Sequence, residues 1–431
     1  MGFVAPVMAV GTLRGFFRFP LGSDADAVNP FASMTSLEPS TDVVARTSQA
    51  RSDEAREIVR RWPIFDAHVD SIGRALDLGH DLGVRGPGHL DLVRAREGGL
   101  GAWVVVCWVD PEHHLDRSFR RAADMLRAAR ELEARHPDRF RLVGNGRELE
   151  DCRAAGLIAG IPGIEGGHAI EESLEKLAWF FEGGLRVMTL VWNNHLSWVR
   201  SCQPGAGAGV PAGISGFGRD VVREMNRLGM LVDLSHAGDR AFFDVLETSE
   251  RPPIASHSGC RALHDHPRNL SDEQLRALAD RGGVVGIVFH PGFLDSRARA
   301  DEARVRSSLA YRSLRDPNPM ARFLAQQEHM RRAAPPLDCG RLIDHVVHAV
   351  EVAGVEHVGL GSDFDGIERG PAGLEDASAY PRIAELCLER GFTPDEVGRI
   401  LWSNMERVFA QATGEGTRAG DAGRASPVTR P

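Results

Sequence analysis

The sequence predicts an α/β fold, a (β/α)8 barrel of the TIM type, on three observations. Eight short apolar runs alternate with amphipathic helical patterns, the arrangement of βα units around a parallel sheet. The chain has 431 residues, enough for a barrel, which often runs to ~250 residues or more as one unit. Most of the runs end in a residue able to bind a metal or carry a proton, and barrel active sites form where the strands end. A doubly wound open sheet is the competing arrangement. No Gly-x-Gly-x-x-Gly follows a strand, which argues against its dinucleotide-binding form.

Taken in order, residues 1–50 are rich in Ser, Asp, Pro and Thr without a sustained period and read as a loosely ordered lead-in. Phe3 to Leu13 is apolar but lacks a preceding basic region and is broken by Pro6, so a secretory leader is not favoured and a cytoplasmic location is expected. Ser52 to Arg61 reads as a helix leading into the first strand. The expected strands are 64–69, 102–109, 157–164, 187–191, 231–234, 254–256, 284–289 and 357–361. Helical patterns fall between them at 117–135, 173–181, 218–228, 240–246, 271–279 and 341–353. Ser271 with Gln274 forms a capping box, and Thr393-Pro394 opens the last long helix. The catalytic domain is read as 51–412, interrupted by a polar, Arg-rich insertion at about 295–336 placed to act as a lid over the barrel mouth. Residues 413–431 are Gly, Arg and Ser rich and read as a disordered tail.

Composition narrows the partners. Fifty-one basic residues against 60 acidic ones give a net charge of −9, with no basic run, which argues against nucleic acid or an anionic membrane. No stretch reaches the ~18 apolar residues of a membrane span. The six cysteines are scattered without a Cys-x-x-Cys pair, so neither a disulfide framework nor a zinc ribbon is expected. Lys176 is the one lysine, which leaves almost no position for a Schiff base or a carbamylated metal bridge.

The chemistry starts at Ile64-Phe65-Asp66-Ala67-His68-Val69-Asp70. In a strand, side chains two apart share a face, so His68 and Asp70 project together. Later runs end in Glu165, His236, His257 and Asp363. Imidazoles and carboxylates in this mixture suit zinc. Two cations ~3.5–4 Å apart need a bridging anion. Because Lys176 lies inside a helical pattern, Glu165 is the expected bridge. His68 and Asp70 are assigned to one Zn2+, His236 and His257 to a second, and Glu165 to both. Such a pair generates hydroxide near neutral pH and polarises a carbonyl. Asp363, not needed as a ligand, would shuttle a proton or hold a substrate ammonium group. Arg268 is read as a carboxylate clamp, and Trp192 as a pocket wall. Asp66 shares a strand face with His68 by periodicity and is read as packing or supporting rather than ligating. His168 is expected to cap the Gly166-Gly167 turn, Asp365 to stabilise its loop, His264 and His266 to face solvent, and Trp198 and Trp402 to pack.

These motifs together resemble the membrane dipeptidase (renal dipeptidase) family of zinc metallopeptidases. They are Asp66-Ala67-His68-Val69-Asp70, Gly163-Ile164-Glu165-Gly166-Gly167-His168, Leu231-Val232-Asp233-Leu234-Ser235-His236, Ser256-His257-Ser258, Arg268-Asn269 and Gly361-Ser362-Asp363-Phe364-Asp365-Gly366. The likeness runs from about Asp66 to Phe409. It implies a metallo-dependent-hydrolase-like barrel with the same five ligands, two zinc ions, and cleavage of dipeptides that often tolerates a C-terminal D-residue. It further implies that Arg268 holds the substrate carboxylate, with Asn269 beside it, and that Asp363 lies near the amino group and scissile bond. Family members are often homodimers.

The chain departs from the family at two places. A histidine after the fourth strand is replaced by Trp192, with Asn193 or His195 as stand-ins, and a family tyrosine near the seventh strand is replaced by Phe289-His290, so that His290 becomes a candidate substrate contact. Two other readings compete: a barrel amidohydrolase acting on a non-peptide amide, imide or lactone, and a non-catalytic scaffold. The crowding of unpaired carboxylates and imidazoles argues against the scaffold.

Overall fold

In a computed structural model of the chain, residues 41–114 and 117–414 are described. The compact unit that carries the site begins at Thr47. Nine parallel strands form the sheet: β1 (Ile64–Val69), β2 (Leu100–Trp108), β3 (Phe140–Leu142), β4 (Ile158–Glu165), β5 (Val187–Thr189), β6 (Leu231–Asp233), β7 (Ile254–Ser258), β8 (Val284–Ile287) and β9 (Val358–Leu360). β2 pairs with β1 and β4, and β9 pairs with β8 and β1. Eight strands therefore close into a barrel. β3 lies outside that ring, alongside the first half of β4 (Phe140 opposite Ile158), while β5 pairs with its second half (Gly163 opposite Val187).

Parity along the strands sorts side chains into two layers, as the period of two requires. Ala102, Val104 and Val106 of β2 join Ala159 and Ile161 of β4, Val187, Leu231, Ile254 and Val284 in one cluster. This cluster fills the barrel, and Trp402, Met405, Val408 and Phe409 belong to it. Trp103, Val105 and Cys107 join the cluster shared with the surrounding helices. The last helix that contributes the plug is opened by the Thr393–Glu396 capping box, and Ser271 and Gln274 form the other. Trp198 and Trp402 are buried packing residues.

Several expectations change. The lead-in is helical from Thr41, so the helix expected from Ser52 begins earlier, at Thr41–Arg61. Residues 1–40 and the tail 415–431 lie outside the described residues. The insertion is built of helices Ser296–Ser307, Leu309–Arg312 and Pro319–Ala333. It is tied down rather than loose. Arg306 and the Tyr311 hydroxyl both reach Glu368, Arg369 reaches Glu302 at 3.3 Å, and the Gln327 amide donates to the Ile367 carbonyl at 2.9 Å. Val305, Met330 and Ala334 make a small apolar core beneath it. His264 and His266, expected in solvent, are buried. The His266 ring packs on Phe293 with centroids 4.5 Å apart. No described helix is long and apolar enough to cross a membrane.

Candidate metal centre

The barrel interior changes character two residues beyond its apolar layer. Val187, Leu231 and Ile254 line the core, and the same faces of β5, β6 and β7 next present Thr189, Asp233 and Ser256. All three are buried and mutually bonded. Asp233 Oδ1 accepts the backbone N–H groups of Ser235 (3.0 Å) and Ser256 (2.8 Å). Its Oδ2 accepts the hydroxyls of Thr189 and Ser256, the latter at 2.6 Å. A carboxylate is acceptor-only, so the single Ser256 hydroxyl proton is committed to Asp233. The Ser256 oxygen is then an acceptor, and three groups approach it: His257 Nδ1 at 2.8 Å, His68 Nδ1 at 3.3 Å and the Ser235 hydroxyl at 3.3 Å. This polarity puts a proton on each Nδ1 and leaves each Nε2 lone pair bare. The third histidine is oriented separately, with His236 Nδ1 3.0 Å from Asn193 Oδ1, an oxygen that also accepts from Gln203 Nε2 at 3.0 Å.

The three bare Nε2 atoms converge on Glu165, the last residue of β4 and interior by parity. His236 Nε2 lies 2.9 Å and His257 Nε2 3.4 Å from Oε1, whereas His68 Nε2 lies 3.6 Å from Oε2. His68 Nε2 is also 3.6 Å from Asp70 Oδ2. Each carboxylate oxygen of Glu165 thus faces a different cluster, Glu165–His236–His257 and His68–Asp70–Glu165. The five residues assigned from the sequence are brought together in the two groups expected. A third grouping, His68–Asp233–His257, is also close enough, but both Asp233 oxygens are already occupied by four donors, so it supports the floor instead.

The donor set fits a cation. His68 Nε2 and Asp70 Oδ2 are buried without a hydrogen-bond partner, a costly state for polar atoms. Burial would lower His68, yet facing Glu165 and Asp70 drives it up to about 10, so these carboxylates demand positive charge. Burial pushes His236 down to about 4 and holds His257 well below its ordinary value, which keeps both as neutral lone-pair donors. His236 (φ 68°) and Asp363 (φ 60°) are in the left-handed region. Such strain clusters at functional sites.

Around this centre lies a cavity of about 720 Å3. Asp363 opens into it beside Asp70, and burial pushes its carboxyl up to about 7. Arg268 is buried in the wall. Its Nη2 donates to the His257 carbonyl at 2.9 Å while its Nε has no partner among the described residues, and Phe293 backs the guanidinium at 5.4 Å. Trp192 lines the cavity, 5.1 Å from Trp108 between ring centroids. His290 also lines it, stacked on Phe293 at 4.3 Å and pushed by burial down to about 3.

Other placements differ from expectation. Asn269, read as a substrate contact, is fully buried. Its Oδ1 accepts from Gly259 N at 3.0 Å and its Nδ2 donates to the carbonyls of His264 and Phe293, so it braces the loop. Asp66, read as packing or supporting rather than ligating, does support His68: its Oδ1 accepts the His68 N–H at 3.1 Å. β1 shifts register between Asp66 and Val69, and the Asp66 carboxylate turns to the Tyr380 hydroxyl and to Ser362 N at 2.9 Å. His168 Nε2 is paired with the Val109 carbonyl at 2.9 Å rather than capping its own turn. Asp365 does stabilise its loop, gripping Ser71, Arg74 (2.7 Å) and His89 N (2.7 Å). Of the stand-ins for the family histidine, Asn193 lines the cavity, whereas His195 Nδ1 accepts from Ser201 N at 3.2 Å. Sequence reasoning missed Asp233 and Ser256, although both lie two residues beyond an apolar interior position, and it missed Trp108.

The family model described as "Membrane dipeptidase (Peptidase family M19)" matches residues 52–419. A relative from Schizosaccharomyces pombe, named as an uncharacterized dipeptidase, is 31% identical over 336 residues, covering 74% of this chain and 71% of that protein. Among solved structures, the probable dipeptidase PvdM from Pseudomonas aeruginosa superposes with a TM-score of 0.74 at 22% identity, covering 85% of this chain and 100% of that one. A metallopeptidase from Rhodobacter sphaeroides, solved with a phosphinate mimic of the dipeptide L-Ala-D-Ala, has a TM-score of 0.68 at 25% identity, covering 81% of this chain and 99% of that one.

Proposed function

The chain belongs to the membrane dipeptidase family (peptidase family M19) of metallopeptidases, and from that premise we propose that it is a dipeptidase with two zinc ions at the floor of the cavity. His68 and Asp70 would hold one ion, His236 and His257 the other, and Glu165 would join them. The observation that carries this reading is the orientation of Glu165, with one carboxylate oxygen toward each histidine cluster. Zinc, when bound, supplies Lewis acidity and an activated water near neutral pH.

The chain's own residues do the rest. Ser256 and Asn193 hold the three imidazoles with Nε2 inward. Arg268 binds the free carboxylate of the dipeptide, which its unpartnered Nε and its lack of an acidic partner among the described residues support. A neutral imide or lactone would leave that buried cation unpaired, which favours a dipeptide over a non-peptide substrate. Asp363, which lines the cavity beside Asp70, takes a proton from the attacking water and returns it to the amide nitrogen, which departs as an amine. Trp192 replaces a polar group of the family at the cavity wall, and the Asn193 amide is the neighbouring donor. A C-terminal D-residue is included among the substrates, with support from the mimic seen in the Rhodobacter relative.

The test is metal analysis of the purified protein followed by hydrolysis of a dipeptide panel with L,L and L,D members. Two zinc equivalents and cleavage of dipeptides but not of N-terminally blocked or C-terminally amidated ones are expected. One equivalent, or equal cleavage of the amides, would overturn the corresponding part of the reading.

A further inference from the structure

The insertion at 295–336 is not absorbed by the metal chemistry, yet it supplies much of the cavity's outer wall. Pro317, Pro319, Met320 and Phe323 all face the cavity. Trp108, Trp192 and Met125, which come from the barrel and its helices, line the same cavity, and the Met125 and Met320 tips both lie against Gly73. The insertion is anchored over this wall: Asn318 Nδ2 donates to the Asp77 carbonyl at 3.0 Å, and Met320 packs so closely on Gly73 that a Cβ there would come within 2.8 Å of its terminal methyl. Asp77 and Arg121 neutralise each other, Arg121 gripping Asp77 with both Nη atoms at 2.7 Å, which leaves Arg322 as the charged roof residue on this wall. A cavity of about 720 Å3 is in the upper part of the range that encloses a drug-sized ligand, ~300–1,000 Å3. Two small residues would leave most of this apolar surface wet.

We propose that the insertion is a fixed roof that builds an apolar subsite with Trp108, Trp192 and Met125, and that it selects dipeptides whose N-terminal residue carries a large apolar or aromatic side chain. The inference rests on the dipeptidase reading and on Arg268 as the carboxylate clamp. The choice of residue follows from barrel order. Arg268 follows β7, and in the closed ring β1-β2-β4-β5-β6-β7-β8-β9 the strand opposite β7 is β2, which ends in Trp108. With the C-terminal carboxylate at Arg268, the residue that reaches the Trp108 side and the roof is the N-terminal one. The Trp108 and Trp192 rings, 5.1 Å apart between centroids, favour offset or edge-on packing of a flat apolar side chain.

The experiment compares kcat/KM of the zinc-loaded enzyme for Phe-Ala, Leu-Ala, Ala-Ala and Glu-Ala. Glu-Ala is included because the Arg322 guanidinium also lines the cavity. Phe-Ala is expected to exceed Ala-Ala at least ~10-fold, the discrimination that even one well-placed methylene provides. Phe323→Ala is expected to reduce the Phe-Ala to Ala-Ala ratio about tenfold, mainly through KM, with Phe323→Leu between it and the parent. Equal rates for Phe-Ala and Ala-Ala, a preference for Glu-Ala, or an unchanged ratio in Phe323→Ala would each overturn the subsite while leaving the dipeptidase reading intact. Failure to cleave any dipeptide would instead overturn the reading beneath it.

Discussion

The floor and the roof of the cavity are built on opposite principles. The floor is a few residues at strand ends, Thr189, Asp233 and Ser256, in which one hydroxyl serves a histidine from each metal cluster. Every atom of Asp233 is committed, and the geometry is inherited from the barrel's own register. The roof is a long insertion held by the buried charges Glu302, Glu368 and Arg369 and the exposed Arg306, over a small apolar core. Among the described residues its hydrogen bonds and ion pairs go to groups other than the proposed metal ligands. The floor therefore decides whether the chemistry exists, and the roof decides what it acts on. Damage to the floor should appear in metal affinity, whereas damage to the roof should appear in stability and selectivity.

The sharpest way to break this division is at Glu165, the one residue on which both clusters depend. Glu165→Gln keeps the shape but removes the charge between them. We expect kcat/KM to fall on the order of 10^4-fold, since a metal centre contributes several kcal/mol of transition-state stabilisation, and zinc content to drop below two equivalents by elemental analysis. Retention of two tightly held ions would show that the clusters are independent. In the roof, Arg369→Met should remove the guanidinium from buried Glu302, whose carboxyl burial already pushes upward. Glu302 keeps Arg306 at 3.5 Å, so the loss is expected below the about 3–5 kcal/mol of a buried charge left with no partner, observable as a lower urea midpoint, with zinc affinity in the native state preserved. Loss of zinc affinity in this variant would mean that roof and floor are coupled.

A finer comparison lies within the floor. Ser256→Ala removes the acceptor of two imidazoles, one per cluster, while Asn193→Ala removes that of His236 alone. Loss of an outer partner typically lowers metal affinity 10–100-fold. In competition with a chelator, Ser256→Ala should weaken both zinc equivalents and Asn193→Ala one of them, giving a two-step curve. If Ser256→Ala weakens a single equivalent, the 3.3 Å approach of His68 Nδ1 to the hydroxyl is not functional.

The same division marks what the sequence could reveal. The eight barrel strands and the five converging candidate ligands were legible because each sits at the end of an apolar run, where periodicity and barrel geometry act locally. β3 was not, because Phe140-Arg141-Leu142 is too short for any period. Asp66 was legible as a supporting residue and holds the His68 N–H, although the register shift after it breaks the simple alternation of β1. Asp233 and Ser256 needed one more application of the i, i+2 rule, from Leu231 and Ile254. The roof's effects were out of reach: His264 and His266 look like solvated residues in a polar stretch, and Asn269 like an exposed neighbour of Arg268, until tertiary contacts cover them.

The smallest expected effect concerns the root of the roof. His345, in helix Gly340–Ala353, is fully buried, and its Nδ1 accepts the N–H of Cys260 at 2.9 Å. Nε2 must then carry the proton, which it donates to the carbonyl of Leu294 at 3.0 Å, immediately before the insertion. Burial pushes His345 down to about 4. In the unfolded chain an ordinary histidine binds its proton near ~6.5, so its contribution to stability is complete above that pH and is lost as pH falls from ~6.5 towards 4. Within the window the group should weaken the fold by about 1.4 kcal/mol per pH unit. A second ring proton would displace the Cys260 N–H and loosen the strap beside β7 on which the roof begins. His345→Gln, which can still accept and donate, should flatten the difference between unfolding free energies measured in urea at pH 6.5 and pH 4.5. An unchanged pH slope would mean that the acid sensitivity resides in His266 and His290 beneath the roof, both of which burial pushes to about 3, rather than at its root.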